Sequence, residues 1–356
     1  MVRVPGVCVA VFAGLLALAA GCGARGSGCR EGDRSFRTGA PSRQQGVEMV
    51  AICAGGFFMG SPTGEEGHAS HNPPGPREVR RRVTLTRDFY IGRFEVTRAQ
   101  AQTFLGRDPS RSVTCTAARC PVENISWHEA AALANAVSRA AGLSPCYRCA
   151  GVGDRTRCRA ASDHATPYRC PGFRLPTSAE LEYATRAGTT AAFSSGGDLA
   201  PGDSRSCVPD VTLSNGARLA RSAWFCGSSG KTTHEVGQLA PNPWGLYDVH
   251  GNVYSWCHDW YVPSAAASTV DPVGDDPSSR ERVTCGGSWF TDPGPLRSAY
   301  RSSFPPHKRI DDLGLRLVRS LPPAPVRGAI WPGAAMALLM AGAALWLAGR
   351  LGGDEG

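Results

Sequence analysis

The sequence predicts a loop-rich α+β fold that is held by disulfide bonds and followed by an apolar C-terminal helix. Of its 356 residues, 43 are Gly and 27 are Pro, and only 19% are charged. This composition favours turns over long regular elements. Short alternating stretches predict strands, and three hydroxyl-containing motifs predict the starts of helices. Fourteen cysteines in an exported chain favour disulfide bonds.

Two N-terminal segments predict strands. Residues 49–60 form an apolar stretch that is broken by Gly55-Gly56, which predicts a strand and a turn. Residues 79–94 alternate between polar and apolar side chains and predict a pair of strands.

Three capping boxes predict three helices, because each hydroxyl accepts from a backbone N–H three residues on and each Gln or Glu reaches back. The motifs are Thr97-x-x-Gln100, Ser126-x-x-Glu129 and Thr177-x-x-Glu180. The second helix is expected over residues 127–141 and stops at Gly142. The third is expected to start after Pro176 and to end near Gly188.

The N-terminus has the pattern of a bacterial export signal. Residues 1–21 have a short basic start, an apolar core and small residues before Cys22. This pattern predicts a lipoprotein-type signal peptide with Cys22 as the lipid-bearing residue; an ordinary secretory signal is the alternative. The polar residues 22–45 are expected to form a flexible tether.

The C-terminus carries a second apolar segment. A Pro-rich linker is predicted at residues 321–327, and residues 328–349 form an uncharged apolar run. That run is long enough to cross a bilayer as a helix, and a processed sorting tail is the alternative. A membrane is therefore an expected partner.

The remaining twelve cysteines (14 − 2, leaving out Cys8 and Cys22) are expected to form disulfides. Cys115 and Cys120 are expected to pair across a short loop. A second group is expected to form two disulfides, with a zinc site as the alternative because of its C-x-x-C spacing. Its members are Cys146, Cys149, Cys158 and Cys170.

The charge distribution argues against nucleic acid as a partner. The formal net charge is +8, which is modest for this length, and the arginines are scattered. A nucleic-acid-binding chain is expected to have a clustered basic face with aromatic platforms.

Six sequence blocks between residues 46 and 320 together resemble the formylglycine-generating-enzyme (sulfatase-modifying-factor) family. They are FEVT (94–97), PV followed by SW (121–127), RLPTSAELEYA (174–184), NPWGLYDVHGNV (242–253), GGSW (286–289) and LGLRLV (313–318). The resemblance implies a C-type-lectin-like α+β domain with few regular elements. The Cys-rich residues 144–171 are an insertion that is expected to be peripheral.

Oxidases of that family bind copper through two cysteines that follow the GGS motif. The corresponding positions here are Thr291 and either Leu296 or Arg297. None of these residues offers the soft thiolate that Cu(I) selects, so copper is not expected. The pair Cys257 and Cys285 is the alternative set of thiol ligands.

Calcium is the remaining metal that the resemblance implies. The family's Asn-containing block corresponds to Asn252 and Val253, but Ser255 stands where the family has Glu. Calcium prefers several anionic oxygens, so the loss of this carboxylate should weaken the site. The alternative is that Gly251-Asn252 forms a simple turn.

The resemblance also implies a substrate groove, which would bind a peptide or a glycan. Its candidate residues are Ser288, Trp289, Thr291, Tyr300 and Arg301. An aromatic face with a bidentate Arg suits either ligand. The alternative is packing, with Trp289 in the core and Arg301 paired to Asp311 or Asp312.

These features predict a membrane-anchored domain on the extracytoplasmic face of a bacterial envelope. We expect it to lack copper-dependent formylglycine-generating activity and to act as a binding or maturation factor for exported proteins. One alternative is an oxidase-like enzyme of the formylglycine-generating and non-haem-iron superfamily with an atypical site. The other is a structural envelope lipoprotein.

Overall fold

The structure of the chain is a computed structural model that describes residues 35–37, 46–68, 78–262, 268–276 and 278–321. The predicted signal peptide, Cys22, residues 322–327 of the linker and the apolar segment 328–349 lie outside these residues. Within the described ranges, no helix is both long and apolar enough to span a bilayer.

Short strands and three α-helices form the regular structure of the described ranges. The strands are β1 (Ser35–Arg37), β2 (Glu48–Ile52), β3 (Gly55–Met59), β4 (Arg81–Leu85), β5 (Phe89–Gly92), β6 (Tyr147–Ala150), β7 (Arg157–Ala160), β8 (Phe173–Arg174), β9 (Ala223–Trp224), β10 (His250–Gly251), β11 (Tyr254–Trp260), β12 (Arg282–Cys285), β13 (Arg301–Phe304), β14 (Leu313–Gly314) and β15 (Val318–Ser320). The helices are α1 (Arg98–Leu105), α2 (Trp127–Ala140) and α3 (Ser178–Arg186). Loops connect most of them, as the Gly and Pro content predicts.

A five-stranded antiparallel sheet joins both ends of the domain in the order β1-β2-β5-β15-β8. Ile91 at its centre lies opposite Val50 of β2 and Val318 of β15. Ser35 of β1 pairs with Val50. Residues 35–37, which the sequence assigns to the flexible tether, are therefore a strand, because they pair with the otherwise open edge of β2.

The two strands predicted within residues 79–94 are present, but they belong to different sheets. β4 forms a hairpin with β3, with Val83 opposite Phe57. β5 pairs instead with β2 and β15. The turn between β4 and β5 is held by Asp88, whose carboxylate accepts the Ala54 N–H at 2.7 Å.

A four-stranded sheet in the order β13-β12-β11-β14 supports the candidate site. Cys285 of β12 lies opposite Ser255 on one side and opposite Arg301 on the other. The register of β11 against β12 shifts between Trp256 and Trp260, which marks a bulge. Because side chains alternate across a strand, Trp256 and Cys257 face opposite sides of this sheet.

The three predicted capping boxes are confirmed. The hydroxyls of Thr97, Ser126 and Thr177 each accept the backbone N–H three residues on, and the Gln or Glu side chains bond back. α2 ends at Ala140, just before Gly142, which has φ +69°. α3 ends at Arg186, close to the predicted stop.

Two fully buried indoles tie α2 to β11. Trp127 donates its Nε1–H to the Cys257 carbonyl, and Trp256 donates its Nε1–H to the Ile125 carbonyl, both at 2.9 Å. Both side chains are 0% exposed. Each indole therefore buries its apolar surface without leaving its donor unpaired.

Disulfides are confirmed in this domain. They join Cys115 to Cys120, Cys146 to Cys170, Cys149 to Cys158 and Cys207 to Cys226. The four cysteines of the second predicted group thus form two disulfides, and none of them is available as a zinc thiolate.

The Cys-rich insertion is not wholly peripheral. Tyr147 is buried in one apolar cluster and Tyr168 in another. The Tyr147 hydroxyl accepts the Leu175 N–H at 3.1 Å and lies 3.1 Å from Nδ1 of His258. The insertion therefore supplies core side chains, while its hairpin of β6 and β7 carries exposed ones.

Candidate functional site

The turn that follows β12 holds the centre of the predicted groove. Ser288 is fully buried, and its hydroxyl donates to the Asp312 carboxylate at 2.7 Å. The Thr291 hydroxyl accepts the Ser288 N–H and donates to the Ser288 carbonyl, both at 3.1 Å. Thr291 therefore closes a tight turn with hydrogen bonds made by its own side chain.

Aromatic side chains form a partly exposed surface beside this turn, and we call this surface the aromatic ledge. Its members are Trp224, His234, Trp289 and Phe290. The Trp224 and His234 rings stack at 3.7 Å, and the Trp289 and Phe290 rings meet edge to face at 5.6 Å. Phe290 is 69% exposed. Trp289 is thus a surface residue of the ledge and not part of the core.

Ser229 connects the two halves of the ledge. Its carbonyl accepts from Nε2 of His234 at 2.7 Å, and its hydroxyl donates to the Trp289 carbonyl at 2.8 Å. Nε1 of Trp224 is buried and has no hydrogen-bond partner among the described residues. An unpaired buried donor is costly.

The other two predicted groove residues lie beneath the surface. Tyr300 is buried in the apolar cluster that holds Tyr254, and burial raises the pKa of Tyr254 well above its ordinary value. Arg301 lies opposite Cys285 in the sheet. Burial raises the pKa of the Glu182 and Asp259 carboxyls, and the charge of Arg301 lowers both to a smaller extent. Arg301 therefore lies near α3 and β11. Asp312, an expected partner of Arg301, accepts a hydrogen bond from the Ser288 hydroxyl.

The positions that correspond to the copper cysteines do not fit copper. Leu296 is fully buried in an apolar cluster, and its carbonyl accepts from Nδ1 of His250 at 2.8 Å. Arg297 is also fully buried, and its guanidinium binds both carboxylate oxygens of Glu78 at 2.8 Å. These side chains are part of the structural core and, like Thr291, they carry no thiolate.

Arg297 was not recognised from the sequence as a structural centre. Beyond Glu78, it donates to the Glu65 carboxylate at 2.6 Å and to the Gly67 carbonyl at 2.7 Å. The Ser61 hydroxyl also donates to Glu78 at 2.5 Å. These bonds fix the loop from Ser61 to His68 against the segment that follows the ledge. The pattern has no local signal, because Glu78 and Arg297 are 219 residues apart.

Asn252 forms a turn, and its side chain does not fit a calcium ligand. Its amide donates to Glu95 at 2.7 Å and to the His234 carbonyl at 3.2 Å. Its side-chain oxygen accepts the His234 N–H at 3.0 Å, and its own carbonyl accepts the Trp289 N–H at 2.8 Å. Its φ of +61° lies in the left-handed region that Asn tolerates. Residues 251–252 therefore form a turn in which the Asn252 amide nitrogen and oxygen both have hydrogen-bond partners.

The buried Glu95 carboxylate organises the same block from below. It accepts the Val253 N–H at 3.1 Å as well as the Asn252 amide, and burial raises the pKa of Glu95 well above its ordinary value. Glu95 also lines a cleft of about 450 Å³ together with Phe94, Gln100 and Arg119. Within the described residues, no group of three or more His, Cys, Asp or Glu side chains could hold a metal ion.

Comparison with known proteins finds a matching family and several relatives. The profile of the sulfatase-modifying factor enzyme 1-like domain family matches residues 36–321. The chain is 29% identical over 247 residues to the protein named "Chaperone protein LppX" of Paenibacillus barcinonensis. The matched region covers 67% of this chain and 82% of the relative. The chain is 35% identical over 165 residues to the formylglycine-generating enzyme of Streptomyces coelicolor. The matched region covers 43% of this chain and 48% of the enzyme. The chain thus matches about half the length of that enzyme.

Solved structures share the fold over most of the chain. Treponema denticola variable protein 1 has a TM-score of 0.59 at 28% identity and covers 81% of this chain and 99% of its own. PvdO from Pseudomonas aeruginosa has a TM-score of 0.60 at 23% identity and covers 81% of this chain and 98% of its own.

Proposed function

Because the chain belongs to the sulfatase-modifying factor enzyme 1-like domain family, we propose that it binds segments of exported proteins and assists their maturation. In this proposal the domain performs no copper-dependent oxidation. The aromatic ledge is the observation that carries it, because it presents partly exposed aromatic rings at the position where the family has its substrate groove.

The ledge has the chemistry to hold an extended peptide. The partly exposed rings of Trp289 and Phe290 offer apolar contact, and aromatic side chains contribute strongly to interface energies. Ser229 and Asn252 hold the Trp289 backbone at 2.8 Å each, so the ledge is rigid before a ligand arrives.

Two further points support a binding role. The residues at the family's copper positions are Thr291 and the buried Leu296 and Arg297, none of which is a soft ligand. The similarity to a protein named as a chaperone is in keeping with binding of polypeptides.

We extend the proposal to location. The domain acts on the extracytoplasmic face of the envelope, anchored by lipid on Cys22, by the apolar segment 328–349, or by both. Its disulfides suit that oxidising compartment. Intact-mass measurement of the mature chain tests the lipid, and an unmodified Cys22 would remove that anchor from the proposal.

The binding role is tested by measuring how the purified full chain affects aggregation of an unfolded secreted protein. We expect the wild type to suppress light scattering and the double variant Trp289→Ala, Phe290→Ser to lose most of this effect. The matched control is Val113→Ser, because Val113 is also highly exposed, at 86%, and lies outside the ledge. Equal suppression by all three proteins would contradict the role of the ledge.

The second candidate function is an oxidase-like enzyme with an atypical site. One observation favours it: Cys257 and Cys285 are free thiols whose sulfurs are 3.6 Å apart. Copper-dependent oxygen consumption with a cysteine-containing sulfatase peptide, absent from the variant Cys285→Ala, would establish this candidate in place of the binding role.

A further inference from the structure

Cys257 and Cys285 are chemically distinct from the other cysteines of the domain. They are free, while the other cysteines among the described residues are disulfide-bonded. Cys257 is 0% exposed and Cys285 is 5% exposed. Their Sγ atoms are 3.6 Å apart, so each thiol is the neighbour of the other across β11 and β12.

The strand geometry leaves these thiols close to bonding distance. A disulfide has an S–S bond of about 2.0 Å, so the sulfurs must approach by roughly 1.6 Å from their separation of 3.6 Å. Cys285 lies directly opposite Ser255, and the register of the two strands shifts beyond Trp256. A bulge bends and twists its strand, and Cys257 lies within the shifted part of β11, between Trp256 and Trp260.

The surroundings of the pair make the two thiols unequal. Burial raises the pKa of the Cys257 thiol well above its ordinary value, and the charge of Arg301 lowers it to a smaller extent. Arg301 lies directly opposite Cys285 in β13. Because Cys285 is slightly exposed whereas Cys257 is fully buried, Cys285 is the thiol that a disulfide oxidant reaches first.

We propose that Cys257 and Cys285 form a dithiol site that closes to a disulfide by exchange with a small disulfide oxidant. The Cys285 thiolate attacks one sulfur of R–S–S–R, forms a mixed disulfide and releases RS⁻. Cys257, after losing its proton, attacks the Cys285 sulfur of that mixed disulfide and releases the second RS⁻. The two protein thiols lose two protons and two electrons, and the oxidant is reduced to two RSH.

The site is coupled to the ledge through the backbone. Cys285 precedes Gly286, whose carbonyl accepts the Gly251 N–H at 2.7 Å. The next residue, Asn252, holds the Trp289 N–H through its carbonyl at 2.8 Å. If the end of β12 moves toward Cys257, we expect the hydrogen bond between Gly286 and Gly251 to shift. Through Asn252, this shift reaches the backbone of Trp289 in the ledge. The positive φ angles of Gly286 and Gly287, +97° and +71°, place the change at a turn that glycine permits.

The test is thiol counting on the folded full chain. The protein is incubated with reduced or oxidised glutathione, denatured, alkylated with a thiol reagent and analysed by peptide mass mapping without reduction. We expect both cysteines to be alkylated after reduced glutathione. After oxidised glutathione we expect a cross-linked species that joins the Cys257 and Cys285 peptides and lacks two hydrogens.

A second measurement tests the dithiol site in the wild-type protein without any ligand, so neither a folding defect of a variant nor the proposed binding role affects its outcome. Hydrogen exchange of the wild type is compared in the two redox states, and slower exchange is expected in residues 249–257 and 284–291 after oxidation. The control is the double variant Cys257→Ala, Cys285→Ala, which should show no redox-dependent difference. Two alkylated thiols after oxidised glutathione, or cross-links from either cysteine to a third one, would overturn the proposal.

Discussion

Arg297 and Glu78 form a bidentate ion pair in which both side chains are completely buried. The two N–O distances are 2.8 Å, and Glu65 adds a second carboxylate at 2.6 Å. The pair joins a loop near the start of the domain to the turn that follows the ledge. Removing one member of such a pair leaves an uncompensated charge in a medium of low polarity.

We therefore predict that Arg297→Met lowers the free energy of unfolding by about 3–5 kcal/mol. Chemical denaturation followed by tryptophan fluorescence measures the change. The matched control is Arg218→Met, because Arg218 pairs with Asp210 at a surface where the side chains are 67% and 77% exposed. That change should cost at most about 1 kcal/mol, and similar losses in both variants would contradict the role assigned to Arg297.

Removal of calcium is predicted to leave the melting temperature unchanged. The Asn252 amide already donates to Glu95 and His234, and its side-chain oxygen accepts an N–H. Thermal unfolding in excess calcium is compared with unfolding in excess chelator. Glycine tolerates the same backbone angles, so Asn252→Gly removes only the side-chain hydrogen bonds. This variant should lower the melting temperature equally in both solutions. A calcium-dependent rise in the wild type would contradict the assignment of this block as a simple turn.

A pH-dependent contribution to stability is predicted for Asp248. Burial raises the pKa of Asp248 from 3.8 to about 6. Between these values the folded chain binds more protons than the unfolded chain, so this contribution to stability falls as the pH rises. Above about pH 6 the buried carboxylate costs a constant amount, on the order of 3 kcal/mol.

Asp248→Asn isolates this effect. Asn tolerates the φ of +52° at this position and can still accept the Gly237 N–H that Asp248 receives at 2.7 Å. The free energy of unfolding of the variant minus that of the wild type should rise from pH 4 to pH 6 and then stay level. Asp210→Asn, at an exposed position, serves as the control. Parallel stability curves for Asp248→Asn and the wild type would contradict the prediction.

The two disulfides of the Cys-rich insertion are predicted to differ in their effects. Chain-entropy estimates for loops of these lengths are on the order of 3 kcal/mol each, slightly more for the longer loop. Cys146 and Cys170, separated by 24 residues, are both buried, whereas Cys149 is exposed. Replacing Cys146 and Cys170 by Ala should therefore lower the unfolding midpoint more than replacing Cys149 and Cys158. The reverse order would show that the hairpin disulfide organises the insertion.

Local signals in the sequence predicted local structure well. The capping boxes at Thr97, Ser126 and Thr177 depend on residues three positions apart, and their helices begin where expected. The pairing of Cys115 with Cys120 is equally local. Such features need only short-range geometry, so no knowledge of the tertiary fold was required.

Features that depend on distant contacts were not predictable in the same way. The strand pattern of residues 79–94 predicts two strands but cannot tell which partners they choose, and β4 and β5 join different sheets. The motif around Tyr300 and Arg301 suggests one groove, yet alternation at the start of β13 sends these side chains to opposite faces. Of the ledge, the sequence identifies only Trp289. Trp224 and His234 are distant in sequence and are connected to Trp289 through Ser229 in the folded domain.

The position of β15 has a consequence for synthesis and export. This last strand lies between β5 and β8, in the interior of the five-stranded sheet, and Val318 pairs with both Ile91 and Arg174. A polypeptide that emerges with its N-terminus first therefore presents two unpaired strand edges until residue 320 has appeared. A chain that stops before this strand cannot complete the five-stranded sheet, so the sheet closes only when synthesis of the domain is finished.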